Sequence, residues 1–267
     1  IQTGPSKWVL GRDLRSPGQV LRDKAGSAVE KNLLLLNLLR NAGLSAYPCL
    51  ISTRSNGRLD EGLPMIQQFD FAMACLELGT DTVMLDARDA KHPFGLLPSE
   101  DLNGKGMVID ENGYRMVDIV PPTSYKHAMT EAELEGNGDL VCQTTLGFQK
   151  HDAVQRRAEL AKTTEEKFVR ELLGEHFNDV TLDSFAVGNA TVPGEPLSVR
   201  MTYRVQGYGQ VMGEMMYIEP GFFHAMRSNP FQRQDRDFPV DFAFGRISME
   251  EVLVRLPEGF RILEAPR

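Results

Sequence analysis

The sequence predicts an α+β protein of two domains, one over residues 1–121 and a β-sandwich-like one with an inserted helix over residues 122–267. Three observations carry that expectation. A leucine-rich helical stretch opens behind a capping signature at Ser27. Short strand-like runs then follow it. Pro121-Pro122, which cannot donate to a β ladder and favours an extended linker, precedes a second series of strand-like runs.

Taken in order, Ser27-Ala28-Val29-Glu30 has the form of a capping box, a hydroxyl for the third helical amide and a carboxylate reaching back. The helix is expected to begin at Ala28, run through Leu33, Leu36 and Leu39, and stop at Gly43. Leucine on nearly every side marks it as a buried, central element. Residues 46–53, 69–78 and 82–86 read as antiparallel strands, with 78–81 as a turn. Residues 54–64 and 89–106, rich in Gly, Pro and charge, read as exposed loops. Beyond Pro122, residues 139–148, 180–187, 197–205, 210–218 and 249–256 are strand-like, and residues 152–177 give one or two surface helices.

Composition narrows the function classes. Against 37 Asp plus Glu there are 29 Lys plus Arg, a formal net charge of −8, which leaves no cationic excess for a phosphate backbone. Nucleic acid is therefore not an expected partner. No apolar run approaches the ~20 residues that span a bilayer. Residues 1–11, which include Lys7 and Trp8, lack the features of a signal peptide, and Ile1 in place of Met points to a trimmed chain. Cys49, Cys75 and Cys142 form no Cys-x-x-Cys pair, so neither structural zinc nor a dithiol site is expected, and no cofactor is implied.

Ala28 stands at a helix N-terminus, the place where free amides and the macrodipole would stabilise a thiolate. Around it run Gly26-Ser27-Ala28-Val29-Glu30-Lys31, then Ala42-Gly43-Leu44-Ser45-Ala46-Tyr47-Pro48 and Ser52-Thr53-Arg54. Further on come Phe69-Asp70-Phe71-Ala72-Met73-Ala74 and Leu85-Asp86-Ala87-Arg88-Asp89. Over roughly residues 19–110 this pattern resembles bacterial transglutaminase-like proteins. The resemblance implies a papain-like core with the nucleophile's position at Ala28, the general base's at Phe71 and the orienting acid's at Asp86. The family usually has an Asn-His pair within the stretch where Phe69 to Ala74 stands and Leu-Asp-Ala-Thr-Asp where Leu85 to Asp89 stands. A methyl group and a phenyl ring supply neither nucleophile nor proton acceptor, so the resemblance implies a degenerate site with no catalytic residue.

Other chemistry was weighed beside this. Ser27 is accounted for by capping rather than nucleophilic attack. Cys75 shares a strand face with Phe71 but lies ~13 Å further along, and Cys49 sits on another strand, so both are expected to be buried, inert thiols. Asp86, Asp89 and His92 recur every third residue and form a metal-assisted alternative, against the plainer expectation of loop and backbone contacts. Residues 207–213 have the wrong glycine spacing for a nucleotide loop, and Asn189-Ala190-Thr191 is a sequon in form.

The stretches Asn229-Pro230-Phe231, 236–242 and 256–260 look like the β-rich domain that follows such a core in bacterial envelope proteins, where an N-terminal β domain usually comes first. Arg236, Asp237 and Asp241 are expected to be structural. Together these resemblances imply an inactive binding or scaffolding protein outside the cytoplasm. An extended peptide, protein or glycan is the implied occupant of the former cleft. The competing class is a cysteine or metal-assisted hydrolase with a relocated catalytic residue.

Overall fold

The computed structural model describes residues 2–3, 14–63, 65–224, 231, 235 and 240–265. The fold is α+β, and the chain forms two compact units. The first comprises Ile1–Thr123 with Asp241–Gly245, the second Ser124–Val240 with Arg246–Arg267. The return of Asp241–Gly245 to the first unit corrects a simple division near residue 121. Its cause is non-local: Asp241 pairs with Arg54 and Arg58 at 3.4 and 3.2 Å, and Phe244 packs on the first unit's apolar core.

In the first unit, β1 (Gln2–Thr3) pairs in parallel with β2 (Ala25–Gly26), on either side of α1 (Pro17–Asp23). Helix α1 was not expected, although Ser16 and Gln19 form a capping box ahead of Pro17. Next comes α2 (Ala28–Asn41), followed by β3 (Ser45–Ile51), β4 (Phe71–Leu78), β5 (Asp81–Leu85), β6 (Gly104–Asp110) and β7 (Gly113–Ile119). The five strands form one antiparallel sheet in the order β5-β4-β3-β6-β7.

Helix α2 lies against β4 and β3 with α1 on its flank, but it is not encased: Leu38 is 50% exposed. The leucine run thus covers one sheet face and leaves its last turns to solvent, a correction to the fully buried helix. Residues 89–106 are also less exposed than their composition implies. Leu96, Leu97, Asp101 and Leu102 are buried there, Ser99–Asp101 forms a 3₁₀ turn, and β6 has begun by Gly104.

The second unit is β-rich. It holds β8 (Ser124–Leu134), β9 (Leu140–Phe148), α3 (Lys150–Leu160), α4 (Glu165–Gly174), β10 (Val180–Gly188) and β11 (Leu197–Val205). It continues with β12 (Gln210–Met212), β13 (Met215–Tyr217) and β14 (Arg246–Arg255). The main sheet has the order β10-β11-β9-β8-β14, antiparallel except for the β14–β8 pair, which is parallel. Residues 210–218 are two short strands rather than one, because Gly213 takes φ +65° and turns the chain back. Gly138 and Gly209 are in near contact, since a Cβ on Gly138 would lie 2.2 Å from the Gly209 carbonyl oxygen.

Phe168, Val169, Leu172 and Leu173 of α4 join Tyr203 and Phe177 in this unit's core, so the helices bury one face each instead of lying wholly on the surface. The inward hydroxyls are paired in a chain, Thr130 to Thr144 at 2.8 Å and Thr144 to Tyr203 at 3.0 Å. Helix α3 has no side-chain cap of its own. Ser124, from β8, accepts from the Asp152 amide at 3.1 Å and supplies the missing partner. Asn229, Pro230, Arg236 and Asp237, singled out in the sequence, lie outside the described residues.

Candidate functional site

The site is assembled from the start of α2, the start of β4, and the segment that leaves β5. At the first of these, Ser27 adopts φ −63°, ψ 166°, and its Oγ accepts from the Glu30 amide at 3.2 Å. Glu30 Oε2 accepts in turn from the Ser27 amide at 2.7 Å. Arg15 closes the arrangement, donating through its amide and through Nη2 to Glu30, each at 2.9 Å. Hydrogen bonds from Arg15 hold the Glu30 carboxyl at about 2 although burial opposes them. Replacing Ser27 with Ala is expected to lower stability by about 1 kcal/mol, read as a shifted urea midpoint at unchanged slope.

Ala28 opens the helix with no exposed surface, and Phe71, 2% exposed, opens β4 opposite Ile51. Both belong to one apolar cluster with Val29, Cys49, Leu97 and Val108. The guanidinium carbon of Arg88 lies 4.0 Å from the centre of the Phe71 ring. Desolvated cation–π contacts of this kind are worth about 2 kcal/mol.

Arg88 is held by two carboxylates. Its Nε donates to Asp86 Oδ2 and its Nη2 to Asp101 Oδ1, and neither acidic side chain has exposed surface. Asp86 Oδ1 also accepts from the Arg88 amide and from Asn32 Nδ2, both at 2.9 Å. Asn32 sits one helical turn beyond Ala28 on the same face. Its Nδ2 donates to the Ala72 carbonyl at 3.0 Å and its Oδ1 accepts from the Ala87 amide at 2.6 Å, tying α2 to β4 and to the end of β5. On the outer side Lys31 Nζ donates to the Arg88 carbonyl at 2.7 Å.

One guanidinium thus faces two buried carboxyls. Burial, with Asp86 alongside, raises Asp101 to about 8 against the opposing pull of Arg88. Of the two carboxyls, Asp101 is therefore the one whose burial favours its protonated form. Asp101 Oδ2 has no hydrogen-bond partner.

The residues that would make a metal centre or a nucleophile are otherwise engaged. Asp86 gives its oxygens to Asn32 and Arg88, while His92 Nδ1 stands 3.6 Å from Asp89 Oδ2. Among the described residues, no three His, Cys, Asp or Glu side chains are grouped to hold an ion. All three thiols are buried. Burial pushes Cys49 and Cys142 up to about 12 and raises Cys75 too, which leaves little thiolate at neutral pH.

Sequence reasoning passed over Asn32, Arg88 and Asp101. Asn32 lies among leucines, although its four-residue spacing from Ala28 marks a shared face. Arg88 was visible as a departure, since it occupies the position where the resembled family usually has Thr. For Asp101 the sequence carries no local signal. In comparison with known proteins no family model matches this chain, and neither a curated protein nor a solved structure does. Among the described residues no helix is long and apolar enough to cross a membrane.

Proposed function

We propose that this chain is a catalytically inactive transglutaminase-like protein, a binding or scaffolding module in which a papain-like core has exchanged its reactive groups for packing. The observation that carries the proposal is the Arg88 guanidinium stacked at 4.0 Å on Phe71 and shared by Asp86 and Asp101. In an active relative Asp86 would orient an imidazole. Here it orients a guanidinium, which keeps its proton at any physiological pH and so neither accepts nor delivers one.

Ala28 reinforces the reading, because a methyl group at the helix start offers no nucleophile for the amides behind it to activate. The helix laid on an antiparallel sheet is compatible with a papain-like core. The resemblance to envelope proteins is what supports an extracytoplasmic setting, an extended peptide, protein or glycan as the partner, and a sandwich-like second domain.

The test is direct. The purified chain is incubated with a glutamine-containing acceptor protein and an amine donor, and separately with a peptide library, and products are sought by mass spectrometry. Neither amine incorporation nor cleavage is expected. Turnover that disappears in Asp86→Ala would overturn the proposal in favour of a relocated catalytic residue.

A further inference from the structure

The second unit contains a cavity of about 200 Å³ lined by charged groups from several elements: Lys126 of β8, Arg156 of α3, Arg246 of β14, and His176 and His224. Asp152 and Glu175 also line it, so three fixed cations face two carboxylates. Arg156 is committed to Glu159 at 2.9 Å and to Glu175 at 3.2 Å, and Arg246 to Asp152 at 3.0 Å. Asp152 also accepts from the Ser124 hydroxyl at 2.7 Å. Both lining carboxylates are thereby satisfied.

Lys126 is the cation that no carboxylate reaches directly. It is half-buried and makes no hydrogen bond or ion pair among the described residues. Next to it stands His224, whose Nδ1 faces the Phe223 carbonyl at 2.9 Å and whose buried Nε2 has no partner. Burial lowers Lys126 against the attraction of Asp152 and Glu175, with Arg246 and Arg156 adding to the lowering, and burial and Lys126 lower His224 against the Phe223 carbonyl and Glu250. Two unsatisfied, half-buried nitrogen groups on one cavity wall are costly in an empty site, and a phosphate-type anion meets both. Its oxygens accept from Lys126, and its own hydroxyl, or a proton taken up with it, serves His224 Nε2, whose Nδ1 already donates to the Phe223 carbonyl.

We propose that this cavity binds a small phosphate-type oxyanion, inorganic phosphate or the phosphate of a monoester, with Lys126 and His224 as its principal ligands and the arginine pairs as its rim. The proposal is independent of the inactive core in the first unit. The cavity's volume leaves room for an organic group on the phosphate.

The experiment uses the full chain, with thermal unfolding and isothermal calorimetry in sodium phosphate, in glycerol phosphate, and in sodium chloride at matched ionic strength. The midpoint is expected to rise with phosphate and not with chloride. Tighter binding of the ester assigns the site to a phosphorylated molecule, and equal or weaker binding assigns it to the free anion. Lys126→Met should weaken phosphate binding about tenfold or more. The same change should raise the phosphate-free midpoint, since it removes an unpaired half-buried cation, and Lys126→Arg should keep the response. His224→Gln, which retains a donor, should weaken binding less than Lys126→Met. A midpoint that follows ionic strength alone in the native chain, or an undiminished phosphate response in Lys126→Met, would overturn the proposal.

Discussion

Arg88→Ala is expected to destabilise the fold by about 3–5 kcal/mol, the usual consequence of removing one partner from a buried ion pair. The loss comes from what is left behind. Asp86 and Asp101 have no exposed side-chain surface, and without the guanidinium they face each other uncompensated. The pH dependence has a definite sign. Asp101 is already raised, so its contribution is complete below the ordinary carboxyl range and is lost as pH rises through its folded value. Deleting Arg88 removes the one charge that lowers Asp101, so the variant's folded state holds its protons to still higher pH. Its deficit should therefore be larger at pH 8 than at pH 5. Urea titrations at the two pH values measure this, and equal deficits would rule out a raised Asp101 held in check by Arg88.

Phe71→His places an imidazole at the position that the resemblance would give to a general base, and it is expected to cost about 2–4 kcal/mol. An imidazole in place of a ring that is 2% exposed gives up apolar burial and brings in a donor and an acceptor that need partners. Protonation would place a cation against Arg88, 4.0 Å from the present ring centre. The histidine should therefore stay neutral in the fold, while the unfolded chain takes up a proton below about pH 6.5. Stability of the variant should fall further as pH drops through that value. A variant as stable as the native chain, or one that gains stability in acid, would mean that the ring position suits an imidazole and that Arg88 does not exclude a second cation there.

The contrast between what could and could not be read in advance follows the range of the interactions. Ser27 and Glu30 were legible because a capping box is closed within four residues, and β11 because its alternation survives burial on one face only. Strand β8 was missed although its odd and even positions differ in burial, since alanine, glutamate and lysine along it carry no strong strand signal. Asp101 shows the limit more sharply. It lies in a Pro- and Gly-rich stretch that reads as exposed, and it is buried because Arg88, thirteen positions earlier in the chain, reaches it. Desolvation of that kind is a property of the assembled fold, and no window of neighbouring residues contains it. Ala28 and Phe71 were legible as residue types, whereas the guanidinium trio beside them was not.

The excursion of Asp241–Gly245 makes the first unit discontinuous in sequence, with the chain passing between units after Thr123, Val240 and Gly245. A fragment ending at Thr123 would lack the carboxylate that Arg54 and Arg58 share and the Phe244 ring on its apolar cluster. A protease cut between Thr123 and Ser124 would leave those groups in place, carried by the other fragment. The two pieces would then stand in the relation of complementing fragments, so that dissection by truncation and dissection by nicking give different molecules.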